Sequence, residues 1–146
     1  MSAIVKELTI AAAPGSVFNA LTQQDELALW WTNDLSAKPE VDSLAEFRFS
    51  QGTFVIQFEI AELNADEKVS WISRQGPSTG HWAGTSVTWQ LTPVQNGTQV
   101  VFTHDGFAQV DERYALTRAW WEHFLASLKS YLETGIGTPG SPLSVR

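Results

Sequence analysis

The stretch from Glu112 to Gly135, ERYALTRAWWEHFLASLKSYLETG, reads as one long helix, and the width of its apolar face limits the folds open to the chain. Asp111 suits an N-cap, and Gly135, which tolerates positive φ, suits a C-terminal cap. At about 100° per residue, Tyr114, Leu116, Trp120, Trp121, Phe124, Leu125, Leu128, Tyr131 and Leu132 gather into one arc of roughly 180°. Arg118, Glu122, His123, Lys129, Ser130 and Glu133 occupy the opposite side. A helix lying on a flat surface needs an apolar stripe only somewhat over ~100° wide. An arc this broad calls for a partner that curves round the helix, and a strongly bent sheet does so. Phe124 and Leu128 mark its midline, with Trp120 and Trp121 about 50° to either side. Trp121 shares its side with Leu125 and Leu132 and is expected to anchor the helix. Trp120 lies nearer Leu116 and Ser127, where the face turns polar.

The rest of the chain supplies strands. IVKELTI alternates with period two, with Ile4, Leu8 and Ile10 among its apolar positions. Pro14 suits the first turn of a short helix that places Val17, Phe18 and Leu21 together, and DELALWW from Asp25 forms a second, with acidic residues at the positive end of its dipole. A polar loop with Pro39 follows. LAEFRFSQGTFVIQFEI divides at Gln51-Gly52 into two strands, the first facing inward with Phe47 and Phe49, the second with Phe54, Ile56, Phe58 and Ile60. VSWIS carries Val69 and Trp71, TSVTWQL carries Val87, Trp89 and Leu91, and QVVFTHDGF sets Val100, Phe102 and His104 on one face. The tail IGTPGSPLSVR has little to bury and is expected to be loose or lightly docked.

Composition closes several alternatives. At 146 residues, 43% hydrophobic and 12% aromatic, the chain suits one domain with a sizeable core. A net charge of −7 leaves no basic stripe for phosphates or anionic lipid, so nucleic acid and membrane surfaces are not expected partners. The absence of cysteine removes disulfides, thiolate nucleophiles and zinc-thiolate sites. The opening MSAIVKELTIAAAPG lacks a signal peptide's apolar run, and no segment reaches the ~18 apolar residues of a membrane span, so a cytoplasmic protein is expected.

The order of elements, with APGSVFNALTQQDELALWWT near the start, HWAGTSVTWQL and FTHDGF later, and WWEHFLASLKSYLETG at the end, resembles the family of activators of heat-shock-protein ATPase homologues. That family belongs to the START-like, or SRPBCC, superfamily. The resemblance reaches to Gly135 and implies an α+β helix-grip fold over residues 1–135, with a tail over 136–146. In that fold a curved antiparallel sheet wraps a long C-terminal helix, two short helices follow the first strand, and a cavity lies between sheet and helix. Leu44-Ala45 departs from the Gly-Gly pair of many relatives, so Cβ atoms there are expected to narrow the cavity mouth or reshape the turn.

Candidate chemistry is sparse. His81, His104 and His123 show no metal-ligand spacing, and no metal or cofactor is expected. His123 falls on the polar arc and His81 in a glycine-rich loop beside Trp82. His104 faces the helix, either as a polar anchor or acid/base group in the cavity or as a hydrogen-bonded brace for the next loop. Asp105 points to the other face. Glu46 and Arg48 form a charged outer face of the hairpin, or line the cavity if the register is inverted. No serine elbow or phosphate loop is present. The expected function is binding of a small apolar or aromatic molecule by Trp71, Trp89, Phe102, His104, Trp120, Trp121 and Phe124, with no catalytic residue assigned. A cyclase- or hydrolase-like enzyme with His104 or Tyr114 as proton donor is the alternative. The family name adds a second, a chaperone ATPase-activating partner.

Overall fold

A computed structural model of the protein describes residues 3–49, 54–74, 84–106 and 112–139, and among them lie seven strands and three helices. The Gln51-Gly52 turn, the loop with His81 and Trp82, Asp111 and residues 140–146 lie outside the described residues, as do the side chains of Phe49, Phe54 and Tyr114. The elements are β1 (Ile4–Ile10), α1 (Pro14–Thr22), α2 (Gln24–Trp30), β2 (Asp34–Ser36), β3 (Leu44–Phe49), β4 (Phe54–Asn64), β5 (Lys68–Arg74), β6 (Ser86–Val94), β7 (Gly97–Asp105) and α3 (Glu112–Thr134). The strands form one antiparallel, curved, open sheet in the order β1-β7-β6-β5-β4-β3-β2, with α3 on its inner face. This is the α+β helix-grip arrangement expected from the breadth of the helical arc and from the resemblance.

Strand alternation sets the inner face. On β7, Thr98, Val100, Phe102 and His104 are buried, and on β6, Val87, Trp89 and Leu91. β4 keeps Ile56, Phe58 and Ile60 inward, and an irregularity between Ile60 and Glu62 then moves the pairing by one residue. Strict alternation would have turned Glu62 inward. The bulge turns Leu63 inward in its place, opposite Val69. A positive φ at Asn96 closes the β6–β7 hairpin.

Two expectations about the elements are corrected. The polar loop after α2 contains β2, whose Leu35 is buried beside two exposed neighbours, a pattern too short to show a period. Leu116 is 52% exposed, while Thr117 and Ser127 are buried. The buried positions of α3 span about 160°, from Ser127 through Leu128 to Leu125, and Leu116 falls roughly 20° beyond that edge.

Side chains of α3 tie it to the outer edge of β1. Lys6 Nζ meets Glu122 at 2.6 Å, Lys129 Nζ donates to the Thr9 carbonyl at 2.6 Å, and the Ala11 amide donates to Glu133 at 2.9 Å. The last two contacts occupy backbone groups that an open edge would offer to another strand. At the other end, Gly135 has φ 86° and its amide donates to the Tyr131 carbonyl at 2.8 Å, forming the expected cap. Residues 136–139 run back along α3, where the Thr138 amide donates to Ser127 Oγ at 2.7 Å and Ser130 Oγ to the Ile136 carbonyl at 2.7 Å. No helix among the described residues is long and apolar enough to cross a membrane.

Candidate functional site

Strand register decides which side chains meet beneath α3. β6 lies between β5 and β7, pairing Trp71 with Val87, Trp89 with Phe102 and Val87 with His104. Trp89 therefore contacts Trp71 and Phe102, with ring centroids 5.7 and 4.7 Å apart. From the helix, Trp121 reaches Phe102 at 4.6 Å and Trp120 at 5.2 Å, and Trp120 reaches Phe124 at 4.8 Å. All seven expected site residues, Trp71, Trp89, Phe102, His104, Trp120, Trp121 and Phe124, are thus brought together, none more than 3% exposed.

Trp31, which the sequence analysis left outside the site, stands at the centre. It caps α2, whose indole partner Trp30 is tied to α1 by donating Nε1–H to the Ala20 carbonyl at 2.8 Å. The Trp31 ring lies 4.2 Å from Phe47, 5.4 Å from Trp121 and 5.9 Å from Trp120. It is nearly parallel to Trp30, at 5.7 Å and 10°, and to Trp71, at 5.7 Å and 6°. The paired tryptophans ending DELALWW were the available signal, but a seven-residue helix is too short for periodicity to say where they point.

His104 is wholly buried and engaged at both nitrogens. Trp121 Nε1 lies 3.0 Å from Nδ1, and because an indole N–H only donates, Nδ1 must accept. The neutral ring then carries its proton on Nε2, which donates to Thr85 Oγ1 at 2.8 Å. Asp105 takes no part, since its carboxylate accepts from the Gly106 amide at 2.7 Å on the other side of the strand.

Three further polar groups face this interior without a hydrogen-bond partner among the described residues: Trp71 Nε1, Trp89 Nε1 and Ser73 Oγ. A void of about 10 Å³ adjoins Trp71, lined also by Leu21, Leu27, Lys38, Ala45, Phe47 and Ile60 among others. That is the room of one water molecule. Ala45, one of the two residues departing from the relatives' pattern, contributes to this lining, while Leu44 is exposed.

Glu46 and Arg48 lie on the outer face. Arg48 Nε donates to Asp34 at 2.8 Å and its guanidinium also pairs with Glu46, to which Gln57 Nε2 donates at 2.9 Å. The Gln57 hydrogen bond first, and Arg48 next, hold the Glu46 carboxyl below its usual range. His123 sits half-buried beside Phe124. Among the described residues no group of three or more histidines and carboxylates is placed to hold a metal ion.

A curved antiparallel sheet gripping a C-terminal helix over an aromatic interior defines the START-like class. Residues 11–133 match the family described as Activator of Hsp90 ATPase homolog 1-like protein, and the chain belongs to that family. Among solved structures, the Aha1 dimer from Colwellia psychrerythraea is 36% identical, with a TM-score of 0.85 over 94% of this chain and 100% of that one. A protein from Mesorhizobium loti is 23% identical, with a TM-score of 0.80 over 90% and 96% of the two chains. An AHSA1-like protein from Aeromonas hydrophila is 19% identical, with a TM-score of 0.72 over 92% and 94%. The last two share the fold. None of the curated proteins compared with the chain matches it.

Proposed function

We propose that the protein binds a small molecule with a flat apolar or aromatic body between the sheet and α3, against Trp71, Trp89, Phe102, His104, Trp120, Trp121 and Phe124, in a cytoplasmic setting. The observation that carries this reading is the near-parallel set of Trp30, Trp31 and Trp71. Offset indole planes present broad π faces, on which a flat guest stacks. The rings touch one another among the described residues, so a guest enters by parting them and replacing their mutual contacts with its own. Members of the superfamily often bind hydrophobic ligands, which supports the same reading.

His104 favours binding over turnover. A proton donor needs an N–H within reach of the substrate, and Nε2–H already donates to Thr85 Oγ1, while the Nδ1 lone pair that a base would use accepts from Trp121. Titration with naphthalene, followed by the indole N–H resonances of isotope-labelled protein, tests the proposal. Saturable one-to-one binding that perturbs the Trp71 and Trp89 signals is expected. A uniform response that does not saturate would overturn it. The rival suggested by the family's description, a chaperone ATPase partner, predicts faster ATP turnover by a heat-shock ATPase when the same preparation is added.

A further inference from the structure

We infer that the molecule bound in this interior carries a neutral hydrogen-bond acceptor, the oxygen of a ketone, ester or amide, which accepts hydrogen bonds from the donor set Trp71 Nε1, Trp89 Nε1 and Ser73 Oγ. The inference rests on reading the interior as a ligand site. Trp71 is 1% exposed, Ser73 1% and Trp89 0%, and none of the three donors has a partner among the described residues. Buried polar groups in native proteins are paired in roughly nine cases of ten, so each exception needs a reason. The surrounding rings offer only weak N–H···π contacts in place of an oxygen.

These exceptions are neighbours. Trp71 and Ser73 are successive residues on the inner face of β5, and Trp89 stands on β6 opposite Val69, 5.7 Å from Trp71 between ring centroids. Elsewhere in the same interior the fold satisfies its donors with care. Trp30 Nε1 reaches the Ala20 carbonyl, Trp121 Nε1 reaches His104, Ser127 Oγ reaches the Trp30 carbonyl at 2.7 Å, and Thr98 Oγ1 reaches the Ala12 carbonyl at 2.7 Å. Three unmet donors on two adjacent strands, among the described residues, mark a place where the acceptor comes from outside the chain.

Charge narrows the class. The donors are all neutral, and the cation that lines the void beside Trp71 is Lys38. A carboxylate buried here would need Lys38 as its counter-ion, whereas a carbonyl oxygen needs only the hydrogen bonds on offer.

The test compares 2-acetylnaphthalene with 2-ethylnaphthalene, which match in shape and differ in the acceptor, and with naphthalene-2-carboxylate at neutral pH. The ketone is expected to bind about tenfold more tightly than the hydrocarbon and to move the indole N–H resonances of Trp71 and Trp89 downfield. Ser73→Ala removes a side chain with no hydrogen bond to lose and should fold normally. Together with Trp71→Phe it should bring the two affinities to within about threefold. Equal binding of ketone and hydrocarbon without a downfield shift overturns the acceptor inference and leaves the ligand site standing. A ketone preference that survives both substitutions overturns the assignment to these donors, and tighter binding of the carboxylate overturns neutrality. Failure of all three probes to bind overturns the ligand site, and the inference with it.

Discussion

The hydrogen bond between Trp121 and His104 joins helix to sheet at full burial, and removing its partners singly and together measures what it contributes. His104→Leu leaves the Trp121 N–H without an acceptor and takes a donor from Thr85 Oγ1. An orphaned buried donor costs about 1 to 3 kcal/mol, offset in part by the easier burial of leucine. Trp121→Phe leaves His104 Nδ1 unmet at a similar cost, and its smaller ring adds about 1 kcal/mol for each methyl-sized void. Each single variant should remain folded, since domains have about 5 to 15 kcal/mol in hand. In the double variant neither polar group survives to be orphaned, so its destabilisation should fall short of the sum by about 1 to 2 kcal/mol. Urea midpoints at unchanged m give the three differences. Additivity within about 0.5 kcal/mol would refute the reasoning, because it would mean that the two side chains are held by packing alone.

Two further substitutions probe the frame around the site. Tyr131 Oη donates to Glu26 at 3.0 Å, and burial, with that carboxylate second, pushes its ionisation up to about 12. The stabilisation is full below the unfolded value near ~10 and is lost as pH rises through the folded one, so the advantage of wild type over Tyr131→Phe should be constant near neutrality and shrink above about pH 10. Phenolate absorbance and urea midpoints across that range check both halves, and an advantage unchanged at pH 12 would contradict them. Gly97→Ala would place a Cβ 2.2 Å from the Ile10 carbonyl oxygen, so the end of β1 must move, at about 1 to 3 kcal/mol. Faster amide exchange along β1 and β7 should accompany the loss, and unchanged exchange would argue against the clamp.

Much of the fold was legible because periods of two and 3.6 are local properties of a chain. The alternation in IVKELTI, TSVTWQL and QVVFTHD gave β1, β6 and β7 with their inward faces, and Pro14 and Gly135 punctuated the first and last helices. The arc of α3 pointed to a curved partner before any strand was paired. What escaped was set by neighbours distant in sequence. β2 exists because Asp34, Leu35 and Ser36 find Arg48, Phe47 and Glu46 across the edge, and three residues cannot announce a period. Leu116 reads as apolar arc, yet the buried surface ends one position earlier, at Ser127, whose hydroxyl serves the Trp30 carbonyl and the Thr138 amide.

The candidate site divides along the same line. Periodicity turned all seven proposed residues inward, but it has no means of saying which inward polar group finds a partner. Trp71 and Trp121 carry the same N–H and are equally hidden. Trp121 meets an imidazole because the β6–β7 register sets His104 opposite Val87, within reach of the helix, whereas Trp71, across from the same Val87 on the other side of β6, meets other rings. A shift of one residue in either pairing would exchange inner and outer faces and erase the contrast. Register rather than aromatic content therefore decides which donors are left for a ligand's acceptor. Substitutions that keep every ring but delete one donor are the ones that bear on it.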